Sequence, residues 1–452
     1  MASGEAQAGQ PGPEARVRVL AEQAGSLARR GELPQALALY QQILEVEPAH
    51  PEAVSFVAMS LLQGGDLRRA LAMLSQAAER HGENANLHKN LGIAFRASGD
   101  PAKALAAFER AFTLQPAMVA AWLNHGALLA ELRREEEALS SYLRGFEAAE
   151  ATGMLVDAAR IPAGIRVLAE KAWTAIRDAR MEVFQRALAP LEREHGRPAL
   201  ARVWHCLEAY LGLRPQVQLP AGQRPTFMSF PGLPARAWYE HDEFPWMPEL
   251  ERHTGVIREE LLAVMAKDEG FRPFVEMPRE HPGAEYWKQL NHSPDWNAFF
   301  FYRDGEAYAA NQARCPATVR ALEAAPLNRV ADHSPEALYS ILTPHAHIPP
   351  HTGVINIRLV VHLPLIVPSA TECGIRVGTE TRGWREGRCI AFDDTYEHEA
   401  WNRSSHTRVV LIFDIWNPAL TLPERDAMRV AIEELGRFNR AHGDTAKLIA
   451  GR

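Results

Sequence analysis

Residues 347–368, HIPPHTGVINIRLVVHLPLIVP, decide how the second half of this 452-residue chain is read. Pro349 and Pro350 lack backbone donors and preclude a regular helix. His347 and His351 are therefore not a helical i, i+4 pair, although their spacing invites that idea. Behind them, residues 354–363 have the length and β-branched texture of a strand. Working outward, similar runs recur: FMSF (227–230), WNAFFFYRDG (296–305), CGIRVG (373–378), RCIAFDD (388–394) and RVVLIFDIW (408–416). Each is bounded by turn signals. Their close spacing predicts an antiparallel all-β core of the jelly-roll, double-stranded β-helix kind, with helical patches at about 248–267 and 423–441.

The first third has a different grammar. Ala36, Ala70, Ala104 and Ala138 are 34 residues apart, and so are Ala24, Ala58, Gly92 and Gly126. Gly31, Gly65 and Gly99 keep the same step, with Arg133 in the fourth unit. Tyr40, Leu74, Phe108 and Tyr142 form a series of large residues. Small residues at a fixed period let paired helices approach, glycines allow positive φ at the turn between them, and large residues fill the gap between pairs. The pattern resembles tetratricopeptide repeats over residues 17–150, an all-α solenoid whose concave face suits a peptide or protein. Residues 1–16 read as a disordered lead-in, 151–213 as a helical connecting segment, and the proline-rich 214–225 as a linker. Residues 226–452 form the β-rich domain.

Composition narrows the function. The formal net charge is −7, which gives no electrostatic reason to expect nucleic acid. No apolar run reaches the roughly 18 residues of a membrane span, and the N-terminus lacks the pattern of a signal peptide. Cys206, Cys315, Cys373 and Cys389 are scattered, with no paired zinc-type spacing. A cytoplasmic location with buried thiols is the expectation.

Chemistry concentrates around His351 and His398, 47 positions apart. One ends a loop before a strand and the other follows a strand and turn, so in a double-stranded β-helix they converge at the mouth of the barrel. Arg408 lies ten residues after His398, at the start of RVVLIFDIW, where a buried guanidinium could clamp a carboxylate. Two imidazoles for iron(II) and an arginine for a dicarboxylate are the makings of a 2-oxoglutarate oxygenase. The usual accompanying carboxylate is missing, because His351 is followed by Thr352 and Gly353.

One family is built without that carboxylate. The stretches HIPPHTGVINIRLVVHLPLIVP, GTETRGWREGRCIAFDDTYEHEAWN (378–402) and FPGLPARAWYEHDEFPW (230–246) resemble the aspartyl/asparaginyl β-hydroxylases, in a cupin-like fold and with tetratricopeptide repeats ahead of them. The resemblance implies that His351 and His398 are catalytic iron ligands. It implies cosubstrate contacts from Arg408, His362, Ser340 and Trp296, and substrate contacts from Arg358 and Asp394. Fe(II), 2-oxoglutarate and dioxygen are the implied cofactor and cosubstrates. The implied reaction hydroxylates the β-carbon of Asp or Asn in a protein recruited by the repeats. Relatives that act on lipid acyl chains or small molecules leave those substrates open, and a repeat scaffold with an inactive oxygenase fold is a third reading. The chain departs from the pattern at Val360, where family members acting on growth-factor-like domains carry a second arginine.

Overall fold

The computed structural model describes residues 12–154, 163–267, 269–278 and 283–443. Two compact units emerge, one of residues 1–178 with 441–444 and the other of residues 179–440 with 445–452.

The first unit holds four helix pairs: α1 (Pro13–Arg29) with α2 (Leu33–Val46), α3 (Pro51–Gln63) with α4 (Leu67–Arg80), α5 (Ala85–Ala97) with α6 (Pro101–Leu114), and α7 (Val119–Glu131) with α8 (Glu135–Ala151). Residues 1–11 of the expected lead-in lie outside the described residues, and 13–16 already belong to α1. The period-34 residues explain the stacking. A Cβ at Gly92 would come within 2.6 Å of the Phe108 ring, and one at Gly126 within 2.6 Å of Tyr142. Gly31, Gly65 and Gly99 take φ between +76° and +86° at the intra-pair turns, and Arg133 holds the same place at +60°. Asp66, Asn84 and Asp100 accept from the backbone N–H three residues on, so that α4, α5 and α6 each begin with a satisfied donor.

Helix α9 (Ala163–His195) carries the division between the units, at 178/179. The second unit continues with α10 (Ala201–Tyr210), β1 (Trp238–Tyr239), α11 (Met247–Arg252), α12 (Thr254–Met265), β2 (Arg272–Pro273), β3 (Trp296–Arg303), β4 (Glu306–Ala307), α13 (Ala309–Arg314) and α14 (Pro316–Glu323). Then follow β5 (Ala337–Leu342), β6 (His347–His351), β7 (Arg358–Ile366), β8 (Cys373–Val377), β9 (Glu380–Arg382), β10 (Ile390–Phe392), β11 (His398–Asn402), β12 (Arg408–Trp416) and α15 (Leu422–Ala441). All strand pairs are antiparallel. The larger sheet runs β1-β10-β7-β12-β5-β3-β2 with β4 beside β3, and the smaller runs β6-β11-β8-β9.

The period-2 alternation sorts the larger sheet's residues into two cores. Leu359, Val361 and Leu363 of β7 and Val409, Leu411 and Phe413 of β12 face α11, α12 and α14. Val360 of β7, Val410 of β12 and Trp296 and Ala298 of β3 face the smaller sheet's Ile348, Ile375 and Ala400. A third core joins Phe184, Leu188, Trp204 and Leu207 of α9 and α10 to Ile355, Ile357, Trp416 and the apolar face of α15.

Residues 179–213 place Phe184, Leu188, Trp204 and Leu207 in that third core. Two residues of 214–225 bond to the turn at 393–395. Arg224 N–H donates to the Thr395 carbonyl at 2.7 Å, and the Gln223 amide donates to Asp393 at 2.7 Å. The strand expected at 354–363 begins only at Arg358, since 354–357 run as turns and an isolated bridge between Ile355 and Met228.

Candidate functional site

The inner face of the larger sheet and the inner face of the smaller one meet around two histidines. In β6 and β11, His351 stands opposite His398, and Ile348 opposite Ala400. Three steps on one strand answer two on the other, so β6 carries a bulge. Without it, His351 would face away from Ile348. The extra residue turns it to the same inner side, a use to which bulges are often put, and the prolines are tolerated there because a bulge leaves ladder donors unused. The two rings lie 4.0 Å apart between centroids. His351 Nδ1 lies 2.8 Å from the Pro349 carbonyl, and His398 Nδ1 lies 3.0 Å from that of Tyr396. A carbonyl only accepts, so each Nδ1 carries the proton and each Nε2 presents the lone pair that a metal takes.

The opposite wall is the larger sheet. Arg408 opens β12 and is 1% exposed. Its guanidinium makes a long 3.5 Å contact to the Ser340 carbonyl, its Nε has no partner, and no carboxylate pairs with it among the described residues. Burial pulls its pKa from 12.5 down to about 10. On the neighbouring β7, burial first, then the charge of Arg408, hold His362 well below its ordinary range, so the imidazole is neutral. Its Nδ1 has no partner. Ser340 of β5 accepts from the Trp296 indole at 3.1 Å, which leaves the hydroxyl proton to donate elsewhere. Trp296 and Trp287 pack beside His351, with ring centroids 6.5 and 5.3 Å away. The position of Val360, two residues before His362, is apolar and buried in the same core.

Six of the eight residues expected from the sequence, His351, His398, Arg408, His362, Ser340 and Trp296, thus share the space between the sheets. Arg358 and Asp394 are also inside, but they are occupied with each other. Arg358 donates to Asp394 at 2.9 Å and to Asp414 at 2.8 Å. Burial works against its charge, yet Asp414 and Asp394 more than reverse that and raise its pKa. Both ends of the guanidinium are paired, while Arg358 Nε and Asp394 Oδ1 have no partner. The turn before His398 is held by Asp393, which accepts from the Thr395 N–H at 2.9 Å.

Asp394 also explains the missing carboxylate. A Cβ at Gly353 would fall inside the Asp394 carboxylate, so the place from which a third protein ligand would normally project is taken. Consistently, no group of three His, Cys, Asp or Glu with metal-binding geometry occurs among the described residues. The site fits a metal held by two imidazoles with its remaining positions left to water or substrate. The unneutralised guanidinium fits an anion. His347, by contrast, sits on the outer face of the smaller sheet and pairs with Glu399 at 2.8 Å. Trp384 was not among the expected residues, yet its ring lies 4.7 Å from the Arg408 guanidinium carbon. A lone tryptophan between Gly383 and Gly387, in an otherwise polar loop, was the available signal.

Residues 251–418 match the family model described as aspartyl/asparaginyl beta-hydroxylase. Residues 22–85, 57–111 and 89–152 match tetratricopeptide repeat. The chain is 34% identical over 200 residues to human aspartyl/asparaginyl beta-hydroxylase, covering 44% of this chain and 25% of that protein. It is 34% identical over 181 residues to an ornithine lipid ester-linked acyl 2-hydroxylase of Rhizobium tropici, covering 40% of this chain and 60% of that one. The chain therefore spans a quarter of the first relative's length and less than two thirds of the second's. A tetratricopeptide-repeat protein of Thermus thermophilus aligns over 38% of this chain and 90% of its own at 19% identity, with a TM-score of 0.30. The chain carries a domain of the aspartyl/asparaginyl β-hydroxylase family behind tetratricopeptide repeats.

Proposed function

We propose that the second unit is an Fe(II)- and 2-oxoglutarate-dependent dioxygenase that hydroxylates the β-carbon of Asp or Asn side chains in a protein or peptide, and that the repeats recruit this partner. The observation that carries the reading is a pair of inward imidazoles with fixed tautomers facing a buried arginine that has no anion of its own. We read the two sheets as a double-stranded β-helix. The central order β10-β7-β12-β5 facing β6-β11-β8-β9 supports it.

His351 and His398 would hold the iron through Nε2, and Arg408 would take the distal carboxylate of 2-oxoglutarate. When bound, iron with 2-oxoglutarate and dioxygen supplies the oxidant that places one oxygen atom on an unactivated carbon, while 2-oxoglutarate leaves as succinate and carbon dioxide. The rest is the chain's own work. The carbonyls of Pro349 and Tyr396 keep the imidazoles in the ligating tautomer. Neutral His362 adds no charge beside Arg408, so the arginine is the cation that selects an acid. The aromatic wall of Trp296, Trp287 and Phe392 excludes water. Arg358, with Asp394 and Asp414, fixes the turn that delivers His398. Arg358 Nε and Asp394 Oδ1, which have no partner, are the atoms left for the substrate contact that the resemblance implies. Among the described residues no helix is long and apolar enough to cross a membrane, and the four cysteines are free and buried. We place the protein in the reducing cytoplasm on the ground of those thiols.

The relation to the Rhizobium acyl 2-hydroxylase, at the same identity as the human relative, favours a second reading in which the substrate is an acyl chain. The experiment supplies iron(II), 2-oxoglutarate and dioxygen to the full chain. Succinate formation is measured first. A gain of one oxygen is then sought by mass spectrometry on Asp- and Asn-containing peptides and on acyl lipids. Succinate that disappears in His351→Ala and His398→Ala supports the oxygenase. Its absence from the iron-loaded protein would leave a repeat scaffold with an inactive fold.

A further inference from the structure

We infer that Trp384 is a specificity residue for the cosubstrate. Its ring face holds the Arg408 guanidinium so that the hydrogen-bonding edge meets the distal carboxylate, and its indole N–H is a second donor to that carboxylate. The inference rests on the reading of Arg408 given above.

Trp384 lies in the loop between β9 and β10 and is 3% exposed. The Arg408 guanidinium carbon stands 4.7 Å from its ring centroid, and the His362 ring lies 6.0 Å away at an interplanar angle of 28°. A guanidinium has two chemically different surfaces: its faces accept a π-cloud, and its edge donates to oxygens. With the guanidinium carbon set over the indole ring, its outward N–H groups are what remain for a ligand.

The donor count points the same way. A buried indole N–H ordinarily finds an acceptor, yet Trp384 Nε1 has none, and neither have Arg408 Nε nor His362 Nδ1. Three unpartnered polar atoms on three adjoining side chains are unusual for a merely structural core. Val360 brings no second cation to this wall, so any second donor to the carboxylate is a neutral one. A 2-oxo acid that ends in a carboxylate would satisfy the guanidinium and the indole together. One that ends in a methyl group would bury both without a partner, so the wall selects dicarboxylates.

The test uses the full chain loaded with zinc in place of iron, so that binding is read without turnover. Calorimetry compares 2-oxoglutarate with 2-oxopentanoate, which keeps the chelating end and lacks the distal carboxylate. Trp384→Phe retains the aromatic face and loses the N–H. Its dissociation constant for 2-oxoglutarate should rise about tenfold or more, as for loss of a hydrogen bond to a charged group, while that for 2-oxopentanoate stays within about twofold, below the effect of such a bond. Trp384→His, which returns a ring N–H, should recover part of the loss. In the unmodified protein labelled with ¹⁵N-indole, 2-oxoglutarate should shift one buried indole N–H resonance that 2-oxopentanoate leaves in place, a readout that stands even if Trp384→Phe fails to fold. Unchanged 2-oxoglutarate affinity in Trp384→Phe, equal weakening of both ligands, or no indole shift would each overturn the inference. Arg408→Gln separates the two layers. If it loses 2-oxoglutarate while Trp384→Phe does not, only the role of Trp384 falls. If it too binds normally, the assignment of the pocket falls with it.

Discussion

Arg408→Met should change stability and cosubstrate binding in opposite directions. The arginine is fully buried, is not neutralised by any carboxylate among the described residues, and has its pKa drawn from 12.5 to about 10 by burial. At about 1.4 kcal/mol for each tenfold change in a protonation constant, that difference corresponds to about 3 kcal/mol spent on keeping the charge inside. The contact with the Trp384 ring returns roughly 1–2 kcal/mol, and the long contact to Ser340 adds little. Methionine fills a similar volume with no charge, so the ligand-free variant should gain about 1–2 kcal/mol, the remainder after these offsets. In a unit of this size that is a rise of roughly 2–8 °C in melting temperature. The same substitution removes the charged partner of the distal carboxylate, a loss of about 3–5 kcal/mol or at least a hundredfold in affinity. Thermal unfolding of wild type and variant, with and without saturating 2-oxoglutarate, reads both effects at once. Wild type should be stabilised by the ligand, and the variant should start higher and not respond. A variant that melts lower without ligand yet keeps the ligand-induced rise would refute the reasoning, because Arg408 would then be a structural cation with a partner inside the fold.

Gly353→Ala should be costly for so small a change, because its Cβ meets the Asp394 carboxylate. We expect a loss of roughly 1–3 kcal/mol in denaturant unfolding together with weaker metal binding, since the displaced turn carries His398. Asp393 bears on the pH dependence. Burial, offset in part by its bonds from Thr395 and Gln223, lifts its pKa from 3.8 to about 7. The folded chain therefore holds more protons than the unfolded one across that interval, and unfolding free energy should fall as pH rises from about 4 to 7. Asp393→Asn should flatten this slope relative to wild type, and parallel slopes in the two proteins would contradict it. Arg133→Gly should stabilise the repeat unit by about 1 kcal/mol, because Arg133 adopts a φ of +60° where the equivalent turns use glycine; chemical denaturation of the variant checks the sign.

The sequence alone determined what local periodicity can encode. The 34-residue step fixed the helix pairs, down to the positive-φ turn that Arg133 fills without glycine. The β-branched, aromatic run RVVLIFDIW fixed a strand whose described start at Arg408 matches the reading. Pro349-Pro350 excluded a helical histidine pair, and the spacing of His351, His398 and Arg408 pointed to one pocket. Tertiary structure decided everything that depends on a partner distant in the chain. Nothing near His351 announces the extra residue that turns it inward, because a bulge is defined by the strand it pairs with. The pairing of Arg358 with Asp414, twenty residues beyond Asp394, likewise appears only when β12 lies beside β7. Residues 214–225 have the composition of a linker, yet Gln223 and Arg224 dock on the turn at 393–395. Trp384 gained its meaning only when β12 brought a buried cation to its face. Periodicity is written by each segment's own solvent boundary, whereas the satisfaction of a buried charge is settled by whichever residues the sheets bring together.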